Sequence, residues 1–100
     1  MSNREEFLTK MESQLKVWRA QLAQIGSQTE DFDQEEKRKF AGDFDDLKLR
    51  IREFEDRINA VSDAEGDHWR RMQSEVEDLK NAVGQTIGSI ASAINELLSK

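Results

Sequence analysis

The stretch FAGDFDDLKLRIREFEDRINAV, residues 40–61, decides the fold. Its large apolar residues, Phe40, Phe44, Leu47, Ile51, Phe54, Ile58 and Val61, recur in alternating steps of 4 and 3. That spacing averages close to 3.5 residues, so one apolar seam keeps facing a partner helix as the backbone winds. The residues between are mostly Asp, Glu, Lys and Arg, which hold the opposite face in water. This is a coiled-coil helix, and it makes the chain all-α.

Working toward the N-terminus, a second seam runs through Leu8, Met11, Leu15, Trp18, Leu22 and Ile25. Ser2 and Asn3 each stand three residues before a glutamate, Glu5 and Glu6, a spacing that allows a capping box at the start of this helix. Beyond Ile25 the seam fades. From Gly26 to Lys39 the only large apolar residue is Phe32. Glycine costs about 1 kcal/mol relative to alanine inside a helix. Gly26 is therefore expected to close the first helix, with a Ser27–Glu30 capping box opening the second. The seam before the gap and the seam after it differ in phase by one residue, which a turn over Gly26–Thr29 explains and a local distortion of one continuous helix also absorbs.

Toward the C-terminus, Ser62-Asp63-Ala64-Glu65-Gly66-Asp67 combines a capping signature, a glycine and an acid cluster, and reads as a turn. A third seam follows through Trp69, Met72, Val76, Leu79, Val83, Ile87, Ile90, Ile94 and Leu97. The expected architecture is an antiparallel coiled-coil three-helix bundle in a single domain spanning residues 1–100, with helices over about 3–25, 30–61 and 66–98. The alternative is a long two-helix hairpin in which the first two helices are continuous. Helix 3, folding back from the turn, covers roughly residues 30–61. Helix 1 then either packs as a third member or projects and needs a second chain. Within helices, Glu6–Lys10, Glu12–Lys16, Glu35–Lys39, Asp46–Arg50 and Glu53–Arg57 have the spacing of supporting ion pairs.

Residues 81–95 carry no charge, and several of them are small. Gly84 and Gly88, four apart, resemble the small-xxx-small motif that lets helices approach closely, although the neighbouring Gln, Thr, Ser and Asn rule out an ordinary membrane span. Leu15, Trp18 and Leu22 on helix 1, with Gly84, Ile87, Gly88 and Ala91 on helix 3, form the candidate interaction surface.

Composition narrows the function classes. The chain has 36% charged residues and a net charge of −6. That balance argues against nucleic-acid binding, which needs clustered Lys and Arg to displace phosphate counterions. Lys37-Arg38-Lys39 lies among acids that cancel its field. The absence of cysteine excludes disulfides and thiolate metal sites. No apolar run approaches the ~18 residues of a membrane span. The first residues lack a signal-peptide core or a myristoylation glycine, so a cytoplasmic protein is expected.

Chemistry is sparse. Glu65-Gly66-Asp67-His68 has the Glu-x-x-His spacing of di-iron bundles, but such a site needs two such motifs and two further glutamates, and the chain has one histidine. Asp31-Phe32-Asp33-Gln34-Glu35 begins like a calcium loop and then places Glu36 and Gly42 where a glycine and a bidentate acid belong. Acid pairs such as Asp45-Asp46 read as a charged helix face. No catalytic residue, cofactor or metal is expected.

The ends of the chain carry a resemblance. Glu5-Glu6-Phe7, Lys10-Met11, Gln14-Leu15, Trp18 and Ala20-Gln21 resemble the opening of small, roughly hundred-residue bacterial coiled-coil proteins of uncharacterised function. Gly66-Asp67, Trp69 and Val76-Glu77 resemble the start of their closing helix. Gly26-Ser27 departs from that family, where the helix looks continuous, and a tryptophan expected shortly after Val76-Glu77 is missing. The resemblance implies a soluble bacterial helical protein with no assigned activity. Together these readings point to a non-enzymatic interaction or scaffold module that forms a homo-oligomer or docks a helical protein partner. The second expectation is a peripheral lipid- or granule-surface protein whose amphipathic helices lie on an interface.

Overall fold

The computed structural model describes residues 3–99. The Ser2–Glu5 capping box lies outside them. Three helices follow in order: α1 (Asn3–Gln28), α2 (Gln34–Asp63) and α3 (Trp69–Leu98), with no strand among the described residues. α2 packs most extensively on α3, and α1 lies against both. Phe7 on α1 meets Trp69 at the start of α3, while Arg4 donates to the carbonyl of Ala64 beyond the end of α2. α1 and α3 are therefore parallel to each other and antiparallel to α2. The result is a rod of 53 × 21 × 16 Å.

The three seams meet in one apolar cluster. On α2, Phe40, Leu47, Ile51, Phe54, Ile58 and Val61 are buried, and Phe44 is half-buried. On α3 the buried set is Trp69, Val76, Val83, Ile87, Ile90 and Ile94. On α1 it is Phe7, Met11, Leu15, Trp18 and Ile25. Phe7 was not on the expected seam. It is buried because the Trp69 ring lies over it at 6.0 Å.

The chain does turn between the first two helices, which removes the continuous hairpin, but the turn falls later than Gly26–Thr29. α1 continues through Gly26 and Ser27 to Gln28, and Gly26 has no left-handed φ. The physical reason lies at Thr29, four residues beyond Ile25 and thus the next seam position. It is buried, its hydroxyl donates to the Gly26 carbonyl at 3.0 Å, and its N–H donates to the Ile25 carbonyl at 3.2 Å. Ending the helix at Gly26 would withdraw this layer from the core.

The cap that opens α2 is Asp33, not Ser27. Its carboxylate accepts the Glu36 N–H at 2.8 Å, satisfying one of the orphan donors of the first turn. Phe32, just before it, folds back over Phe40 with ring centroids 6.0 Å apart.

α3 also starts later than residue 66. Gly66 takes φ +56, the left-handed conformation in which a side chain is strained, and reverses the chain after α2. His68 then stands at the cap position without a side-chain hydrogen bond, and the helix begins at Trp69.

Candidate interaction surface

The residues singled out on α1 and α3 divide between the core and two grooves. Leu15 and Trp18 are 8% and 3% exposed and belong to the core, so they are not an unpartnered stripe. Trp18 lies edge-on to Phe54 of α2, with centroids 4.7 Å apart. Leu22 is half-buried and lines a groove of about 490 Å³ between α1 and α2, together with Gly26, Phe44, Lys37 and Lys48.

Gly84, Ile87, Gly88 and Ala91 come together with one edge of Trp18 in a second groove, of about 710 Å³, between α1 and α3. α1 contributes Gln14, Val17 and Gln21 to it, and α3 adds Lys80, Asn81 and Gln85. Ile87 is buried at its floor, Ala91 is half-buried, and both glycines are exposed. Val17 is an apolar residue left 50% exposed in this groove. Val17 lies beside the seam residue Trp18 and off the seam itself, so helical spacing gives it no signal.

The glycines do not serve packing within the chain. A Cβ built at Gly84 or at Gly88 meets nothing within 4 Å. Each thus carries the helix cost of about 1 kcal/mol without letting α1 come closer.

Charge distinguishes this face from the others. Of the residues lining the α1/α3 groove, Lys80 alone is charged. The groove between α2 and α3 holds Glu53, Asp56, Glu75, Asp78 and Arg57. There Arg57 reaches Glu75 on the facing helix at 3.3 Å, crossing to α3 where its spacing with Glu53 led us to expect a pair within α2. The Asp46–Arg50 pair does form along α2, at 2.9 Å. Arg19 of α1 pairs with Glu55 of α2. These pairs are all substantially exposed and contribute little to stability.

The remaining candidates sit in turns. Glu65, Gly66, Asp67 and His68 are all exposed, and Asp67 lies 4.0 Å from Arg70. Asp33 of the calcium-like segment is the α2 cap, and the Glu36 N–H on its carboxylate holds its pKa below the ordinary aspartate value. Among the described residues no three acidic, histidine or cysteine side chains converge as metal ligands, and no helix is long and apolar enough to cross a membrane. No family model, curated protein or solved structure matches the chain.

Proposed function

We propose that the protein is a non-enzymatic helical interaction or scaffold module, acting through contact along its α1/α3 face by self-association or by docking a helical partner. The observation that carries this reading is the open groove in which Gln14, Val17, Gln21, Gly84, Gln85 and Gly88 meet on an otherwise charged rod. Interface cores are depleted of charge relative to the rest of a protein surface, and glycine and alanine on a helix face admit a second helix at short distance. The resemblance of both chain ends to small bacterial coiled-coil proteins of no assigned activity supports the helical architecture that this reading uses.

A photo-crosslinking residue placed at Gln85 of the full chain in bacterial cells tests it. The expected result is a protein adduct at position 85 and none from the same probe at Arg52, which is exposed on the outer face of α2. Equal yields at the two positions, or none at either, overturn the reading.

A second reading, peripheral contact with a lipid or granule surface, draws on the charge-free stretch 81–95 of α3 and on Leu98, which is 54% exposed. The seams are already buried against one another, so this role requires the bundle to open. Flotation of the full chain with anionic vesicles, accompanied by loss of the Trp18–Phe54 contact, is its expected signature.

A further inference from the structure

Two charge-free stretches far apart in the chain, residues 20–29 at and just beyond the end of α1 and 81–95 of α3, are carried to the same end of the rod, because α1 and α3 are parallel and Phe7 stands level with Trp69. Gln21 from the first stretch and Gly84, Gln85 and Gly88 from the second meet beside Val17 on one face, where Lys80 is the single charged lining residue. We infer that this face is covered by a second copy of the same chain, related to the first by a two-fold axis. The inference rests on the interaction-module reading and specifies its partner.

Charge points to that occupant. Each copy carries a net charge of −6, so two copies repel one another over most of their surfaces and approach at least cost where both are neutral. A two-fold contact sets a patch against itself. The amides of Gln21, Asn81 and Gln85 are both donors and acceptors and can pair with their own kind across such an axis. An anionic ligand would find only Lys80. A lipid phase would strand the amides without partners.

The test is sedimentation equilibrium of the full chain, up to about 1 mM, for the wild type and for Gly88→Glu, with Leu49→Glu as the control. Leu49 is 57% exposed on α2, so the control adds the same charge elsewhere. A side chain at Gly88 has open space, so Gly88→Glu keeps its helicity and melts no lower than the wild type. The wild type is expected to dimerise, Gly88→Glu to raise the dissociation constant at least tenfold, about 1.4 kcal/mol, and Leu49→Glu to leave it within about twofold. A dimer indifferent to Gly88→Glu overturns the assignment of the face. A wild type that stays monomeric at the highest concentration overturns the second copy as occupant, and the adduct formed at position 85 then decides separately whether the broader reading stands.

Discussion

The indole of Trp18 on α1 meets the ring of Phe54 on α2 edge-on, at 70° with centroids 4.7 Å apart. It is one of the contacts by which the first helix joins the hairpin of the other two, alongside Phe7 on Trp69. Phe54 is fully buried, and Trp18 is 3% exposed. Removing the indole leaves a large cavity where α1 touches the core. Trp18→Ala is expected to cost about 3–5 kcal/mol, measured by urea unfolding. A loss below about 1 kcal/mol would mean that α1 does not pack as described.

The α2 seam makes a paired prediction. Ile51 is 6% exposed and Leu49 is 57% exposed, two residues apart on opposite sides of one helix. Ile51→Asp buries a charge without a partner, at a cost of several kcal/mol, and unfolds the chain. Leu49→Asp changes stability by no more than about 0.5 kcal/mol. Circular dichroism melts of the two variants check both, and equal melting temperatures would remove the seam.

Gly26 and Gly66 should respond to alanine with opposite signs. Gly26 lies inside α1 with no left-handed φ and open space at its Cβ position. Gly26→Ala therefore stabilises by about 0.4–1 kcal/mol, through helix propensity and reduced freedom of the unfolded chain. Gly66 holds φ +56, and Gly66→Ala destabilises by about 1–2 kcal/mol. Thermal melts that gave the same sign for both would mean that one of the two turns is misplaced.

Asp33 gives the pH dependence. Its pKa is lowered in the folded chain, chiefly by the Glu36 N–H bonded to its carboxylate. A depressed carboxylate pKa contributes stability that is full above the unfolded value, near 3.9, and is lost as pH falls through the folded value below it. Asp33→Ala should lower the melting temperature at pH 7. Asp33→Asn should recover most of that loss, since asparagine caps as well as aspartate, and should remove this residue's contribution to the fall in stability below about pH 4. Melts across pH 2–7 for the three proteins check the assignment. An unchanged acid limb in Asp33→Asn would refute it.

Local pattern carried the helices and their buried faces. The 3 and 4 steps of Phe40 to Val61 or Trp69 to Leu97 place side chains on one side of any helix, whatever packs there. Gly66 was legible as a turn because few other residues tolerate its φ. The turn before α2 was legible as a gap in the seam, but its position was not. Ser27, the expected cap, lay within it, and so did Asp33, which caps α2 in the structure; the position depended on burying Thr29 beneath the other helices.

The amino-acid sequence by itself determined three amphipathic helices, their seams and the charge-free stretches at 20–29 and 81–95, because these follow from residue type and spacing along one backbone. Tertiary structure alone decided that Trp18 is satisfied by Phe54 within the chain, that Arg57 turns to Glu75 instead of Glu53, and that Gln21 meets Gln85 on one face while Gly84 and Gly88 stay open. The reason is physical: helical spacing sets which direction a side chain points, whereas the group it meets depends on how three helices slide and rotate to fill one core.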